Sequence, residues 1–431
     1  MTVPGRQDER QPAKAPSGGR AGLRSLLAVP RPIAVVSLGV FLNRVGGFFS
    51  IFLTLVLADR GYGPGQITVG LALVAVSGMA GAGFSGWIAD RIGRRTTLLS
   101  ATSLTAVFSL ALVQVTGYWG TLALACLMGA AVQAYGPVAQ AVVGEAASPE
   151  RRVTLFAVYR MALNTGAAIG PLLGGFWATN HMGSLLVGNA VVSMAATLML
   201  LLLPRDGARE PEGPAEPTAA PTAAPAGETL PGGLFGDLRF VGVSVLLGVI
   251  ALFYAQHTGP LPLAMKDSGF STSAFGALLT MNAVVVILCE VPLSTVLGRL
   301  PVQVPIGLGA LCVFGGFFVN SFGITWPVLI GGVLLWTLGE MLISPVAAAA
   351  ATEAAPPGAG ARYQSFLGFC QSTGMSMGPA FGVFLYGMGP LWPWIVSGVA
   401  GLVATPVLYR LLRARADRSG TGTGTGMVRV P

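Results

Sequence analysis

Charge is what this chain lacks most: Asp, Glu, Lys and Arg make up 10% of its 431 residues, against about 25% in an ordinary soluble domain. With 53% hydrophobic residues and a mean hydropathy of +0.71, a soluble globule of this length would leave too much apolar surface in water. A soluble enzyme, a disordered chain and a collagen-like chain are therefore excluded. Lysine is confined to Lys14 and Lys266. Neither lies in a Gly-rich phosphate loop, so no nucleotide-driven motor is legible. Cys126, Cys289, Cys312 and Cys370 are scattered singly in apolar runs, and there are only two histidines. No metal site and no cofactor are expected from such a set, and no nucleophile–base pair marks a catalytic residue. The composition is that of an integral membrane protein.

What is present is a succession of apolar runs, each long enough for a ~30 Å hydrocarbon layer, which takes about 20 residues. Twelve are expected, near 33–57, 67–89, 96–115, 119–144, 154–179, 184–203, 238–261, 272–296, 301–321, 325–352, 362–387 and 391–412. The predicted fold is all-α, with twelve transmembrane helices in two six-helix bundles, 33–203 and 238–412. Residues 1–32 read as a disordered tail without signal-peptide character, 204–237 as a Pro/Ala/Glu-rich linker, and 413–431 as a second tail. The net charge of +8 does not point to nucleic acid, because position decides its meaning. Of the 25 Lys and Arg, 21 fall on one side of the twelve-span topology, and only Arg60 and Lys266 fall on the other. That bias predicts a multi-pass protein of the cell membrane with both termini in the cytoplasm.

The two halves repeat. Residues 137–176 align without a gap to 345–384, an offset of 208, pairing Pro137 with Pro345, Glu145 with Glu353, Gly166 with Gly374, Gly170 with Gly378 and Pro171 with Pro379. Arg91 and Arg299 share the offset. Parallel repeats about a membrane-normal axis are a transporter architecture, with the substrate site between them near the midplane.

Four segments carry a family resemblance. The loop GWIADRIGRRTTLL, residues 86–99, resembles the signature loop of the major facilitator superfamily, through Gly86, Asp90, Arg91, Gly93, Arg94 and Arg95. There the glycines permit close approach and Asp90 can accept from an arginine. GAAIGPLLGG, residues 166–175, is similar to the fifth-span signature of drug/proton antiporters in that superfamily, through Gly166, Gly170, Pro171, Gly174 and Gly175. Glycines four apart share a helix face and admit a neighbouring helix. FLNRVGGFF and GEMLISPV resemble the corresponding first- and tenth-span segments of bacterial multidrug antiporters. The resemblance implies a proton-coupling role for the tenth-span acid, here Glu340. The fourth-span arginine of many relatives is missing, since Ala125 precedes Gly129.

Charges in hydrocarbon need a partner, a wet cavity or a function. Arg44, Arg160, Glu290 and Glu340 are the deep candidates, with Glu340 and Glu290 as proton carriers and Arg44 as the counter-charge to either. Glu145 beside the Arg91–Arg95 loop, and Glu353 with Arg299, are expected as cytoplasmic gate partners, with Arg152 adjacent. These pairs are expected to form only when the cavity opens outward. Asn43, Gln133, Tyr135, Tyr254, Gln256, His257 and Trp336 are the candidate cavity residues; Trp336 and Glu340 share a helix face, joining an aromatic ring to a carboxylate. The expected function is a monomeric, proton-coupled exporter of small amphipathic compounds, whose partners are its substrate, protons and the lipid bilayer. A proton symporter importing a polar nutrient is the alternative, and a non-transporting membrane receptor or scaffold the alternative of another class.

Overall fold

The computed structural model describes residues 29–146, 152–178, 182–204, 233–297, 300–356 and 359–420. Among these there are helices and no strands. An apolar segment in lipid must satisfy its backbone internally, and the helix does so within one segment.

Span 1 is broken into Arg31–Val45 and Phe48–Asp59, and spans 2 to 6 are Pro64–Ile92, Arg94–Gln114, Tyr118–Ala146, Arg152–Ala178 and Met182–Leu200. Span 7 is broken too, into Leu238–Tyr254, a 3-10 turn Ala255–Thr258, and Pro260–Asp267. Spans 8 to 12 are Thr272–Leu297, Gln303–Phe318, Trp326–Ala354, Gly360–Met388 and Trp392–Gly420. Among the described residues, ten helical segments are long and apolar enough to cross a membrane. The other two expected crossings, spans 5 and 11, form helices of 27 and 29 residues. These two carry the Gly-Pro segments and face protein over much of their length, so they can be less apolar than the rest.

Three sequence expectations on boundaries are corrected: span 7, expected as one run over 238–261, breaks at the 3-10 turn Ala255–Thr258 and continues to Asp267. Span 1, expected as one helix, breaks at Gly46–Gly47, two residues of low helix propensity. Span 12 continues as helix to Gly420, where a disordered tail was expected from 413. The remainder of the expected tails and most of the linker lie outside the described residues.

Packing follows the repeat. In the first half, span 4 lies on spans 2 and 3, span 3 on span 6, and span 5 on span 1. In the second, span 10 lies on spans 8 and 9, span 9 on span 12, and span 11 on span 7. The glycine face of span 5 explains its partner. A Cβ at Gly166 would stand 2.6 Å from the Phe41 carbonyl oxygen, and one at Gly170 would stand 2.8 Å from that of Arg44. Span 11 repeats this on span 7: a Cβ at Gly374 would collide with the Gly248 carbonyl and one at Gly378 with that of Leu252. The halves meet through spans 5 and 8 and, symmetrically, through spans 11 and 2.

Named contacts across the halves concentrate toward the face opposite the termini. Thr54 Oγ1 donates to the Thr258 carbonyl at 2.7 Å, and the rings of Phe52 and Phe275 meet edge-to-face at 5.4 Å. Gly175 lies against Gly276, where a Cβ would be 3.2 Å from the opposing Cα, and Gly387 lies against Pro64. Thr280 Oγ1 reaches the Ala168 carbonyl at 3.4 Å.

Candidate functional site

Glu340 lies fourteen residues into span 10, about 21 Å along it at 1.5 Å per residue, and so near the middle of the helix. Its side chain is half-buried. The Tyr254 hydroxyl, from the last turn of the first helix of span 7, donates to Glu340 Oε2 at 2.7 Å. An aromatic wall surrounds this pair. The Tyr254 ring meets Trp336 edge-to-face at 5.4 Å, and His257 stacks on Trp336 at 5.5 Å and 19°. Behind Trp336 stands Phe317 of span 9, at 6.1 Å and 10°. Trp336 is 1% exposed, and Gly316 gives it room, since a Cβ there would be 3.1 Å from the Trp336 Cβ. His257 Nδ1 lies 2.7 Å from the Tyr254 carbonyl, so the turn that ends the helix also fixes the imidazole. On the span 8 side, Asn282 Nδ2 donates to Thr337 Oγ1 at 2.9 Å. Neither Asn282 nor Phe317 was singled out from the sequence. The pairing of Asn282 with Thr337 joins residues 55 apart, and no local pattern reports it.

The other half holds the cation. Arg44 is exposed, next to Gly166 and in the field of Tyr159. Among the described residues no ion pair joins Arg44 to Glu340, which corrects the expected counter-charge for that acid. Glu290 lies in the span 8 helix, but its side chain is outside the described set, and so is that of Arg152. Arg160 is exposed.

The candidate cavity residues divide. Tyr254, His257 and Trp336 join Glu340, whereas Tyr135 is 1% exposed inside the first half, its hydroxyl 3.4 Å from the Val36 carbonyl. Tyr135 is thus core and not cavity, because its face of span 4 turns toward span 1. Asn43 is half-buried and Gln133 exposed. Gln256 is fully buried in the turn of span 7, packed against Gly382.

In the terminal loops, Arg94 pairs with Glu145, Arg95 Nη2 donates to the Leu201 carbonyl at 3.0 Å, and the Arg91 guanidinium lies 4.0 Å over the Trp87 ring. Both members of the Arg94–Glu145 pair belong to the first half, and they meet while the opposite face is joined. The pair ties spans 3 and 4 together within one half and does not bridge the halves. Asp90 is exposed and, among the described residues, makes no ion pair with these arginines. Gly86 has open space where a Cβ would go, so close approach does not explain it. Gly93 is different, since its φ of 87° is a left-handed conformation that favours glycine. Glu353 is exposed, and its expected partner Arg299 lies outside the described residues. On the opposite face Arg60 closes the end of span 3. It donates to the Val115 carbonyl at 2.8 Å and to the Leu112 carbonyl, a cation on the negative end of a helix.

Two six-span halves related by a repeat, meeting through spans 2, 5, 8 and 11 with an acid–aromatic cluster in one half, define a multi-pass membrane transporter and not an enzyme. The family model described as Major Facilitator Superfamily matches residues 36–379, and the chain belongs to that family. It is 25% identical over 391 residues to the uncharacterized MFS-type transporter YttB of Bacillus subtilis, covering 88% of this chain and 96% of that one. It is 25% identical over 376 residues to the multidrug resistance protein MdtH of Aeromonas salmonicida, covering 84% and 91%. Among solved structures, a peptide transporter POT in complex with sulfate superposes with a TM-score of 0.66 at 20% identity, covering 91% and 95%. That likeness is one of fold.

Proposed function

We propose that the protein exports small amphipathic, drug-like compounds in exchange for protons, by alternating access between its two halves. The observation that carries this reading is the Tyr254–Glu340 hydrogen bond within the Trp336–His257 wall. A carboxyl near mid-membrane that accepts a hydrogen bond from a tyrosine, inside a wall of aromatic rings, is a group whose protonation a bound cation can displace. The half-buried Tyr254 ring beside the acid suits a lipophilic cation, whose binding and protonation of the acid would then compete. Few polar groups accompany the cluster, which fits loose recognition better than the dense hydrogen bonding a hydrophilic solute requires. The MdtH relatives point the same way.

In this reading the termini are cytoplasmic, and the contacts at Thr54, Phe52, Gly175 and Gly387 close the outer side, leaving the site accessible from inside. Spans 5, 8, 11 and 2 act as the rocking interface, and Gly175 against Gly276 is a contact that must part when the outer side opens.

The test is substrate-driven proton flux in reconstituted vesicles, across lipophilic cations and neutral drugs. Wild type is expected to couple flux to a pH gradient, and Glu340→Gln to bind substrate while losing the coupling. Unchanged coupling in the variant removes Glu340 from the mechanism. Saturable inward uptake of a sugar or acid would replace export by import.

A further inference from the structure

Spans 9 and 12 enclose a lipid-facing groove of about 460 Å³, with Leu308, Leu311 and Leu402 among its walls. It exists because small residues stand at its base. Gly307 approaches the Tyr409 ring, where a Cβ would be 3.4 Å away, and Gly401 lies against Phe314, where a Cβ would be 2.6 Å away. Three polar features interrupt this apolar lining. Thr405 is 7% exposed, and its hydroxyl has no hydrogen-bond partner. Pro406 removes the N–H that would close on the Leu402 carbonyl. At the terminal end Tyr409 and Arg410 line the mouth. Both are exposed, and Arg410 has no ion-pair partner among the described residues.

The repeat explains why this groove is open. At the equivalent place in the first half, Thr197 Oγ1 donates to Thr102 Oγ1 at 2.8 Å, and Arg95 reaches across to the Leu201 carbonyl at 3.0 Å. The offset of 208 maps Thr197 onto Thr405, but Thr102 onto Ala310 and Arg95 onto Gln303. Span 9 has thus lost the hydroxyl and the guanidinium by which span 3 grips its neighbour. Thr405 is the surviving half of that bridge, a residue of the groove lining whose hydroxyl is buried.

We propose that the groove holds one molecule of an anionic phospholipid, its phosphate on Arg410 beside Tyr409 and an acyl chain along Leu308, Leu311 and Leu402. The vertical spacing fits such a lipid. Arg410 lies three residues from the end of the apolar stretch Trp392–Arg413, at the depth where tyrosine and arginine meet headgroups.

The experiment is native mass spectrometry of the full chain released from nanodiscs of equal phosphatidylglycerol and phosphatidylcholine. Wild type is expected to retain one phosphatidylglycerol preferentially. Arg410→Gln should lower that retention about fivefold, the effect of one basic side chain near an anionic headgroup. Leu308→Trp, which fills the exposed groove without touching charge, should lower retention of both lipids at this site. Arg413→Gln, also exposed but not lining the groove, should leave it unchanged. Equal retention of the two lipids by wild type overturns the proposal. So does an Arg413→Gln loss matching that of Arg410→Gln, which would reduce the effect to a diffuse basic belt.

Discussion

Where the second half carries Tyr254, Trp336 and Glu340, the repeat offset places Gly46, Met128 and Val132 in the first. Where the first half carries Arg44, the second has Leu252. The glycine faces, in contrast, coincide: Gly166 and Gly170 press on span 1 as Gly374 and Gly378 press on span 7, at positions related by the same offset. Duplication has kept what holds helices together and has let the chemistry diverge. A packing glycine is fixed by the backbone it touches, and that backbone is the same in both halves. A charge or a ring touches side chains that differ between the halves, so nothing in the shared backbone holds it to the repeat.

The sharpest way to break this comparison is to move the acid. Val132→Glu in a Glu340→Gln background is expected to give no proton-driven transport in vesicles, because no tyrosine or tryptophan waits at Gly46 and Met128. Recovery of flux would mean that the aromatic surroundings are dispensable. Next in size, Tyr254→Phe keeps the ring against Trp336 and removes the donor to Glu340. Proton-driven transport should fall about tenfold, as expected for a hydrogen bond to a charged group, while substrate binding, read by tryptophan quenching, stays within a factor of about two because no cavity wall is lost.

The scaffold half of the comparison is tested by stability. Gly374→Ala and Gly166→Ala should each lower thermal stability in detergent by about 1–3 kcal/mol through overpacking. Gly368→Ala, with open space around it inside a helix, should instead raise it by up to about 1 kcal/mol, the helix-propensity difference between the two residues. A large cost at Gly166 with none at Gly374 would show that only one half depends on close approach. The smallest effect is expected at the terminal loop. The side chains of Arg94 and Glu145 are 28% and 48% exposed, so a double-mutant cycle with Arg94→Gln and Glu145→Gln should give a coupling below about 1 kcal/mol. A larger value would make this pair a structural clamp and not a solvated tie.

Much of the scaffold was legible in the chain. Apolar runs matched to a bilayer and their small-residue spacing are properties of local sequence, and so the helices and the glycine face that admits a neighbour could be read from it; which helix takes that face could not. The candidate site was legible only in part. Trp336 and Glu340 share a helix, so their proximity follows from periodicity. Their meeting with Tyr254, 86 residues away, does not. Arg44 looked like the partner of Glu340 because opposite charges in hydrocarbon attract, yet the fold sets it in the other half beside Tyr159. Tyr135 looked like a cavity residue because it is aromatic and polar on a lining helix, but helix rotation turned it to the core.

By itself, then, the sequence determined the solvent. A chain this poor in charge must place its helices in lipid, and a helix that must satisfy its own hydrogen bonds leaves only side-chain spacing to choose its neighbours. Which side chains meet across those neighbours was left to the tertiary structure: Glu340 with the Tyr254 hydroxyl, and Thr54 with the Thr258 carbonyl. Each depends on the rotation and depth of a whole helix, and these are set by the summed packing of all its contacts and by no single motif.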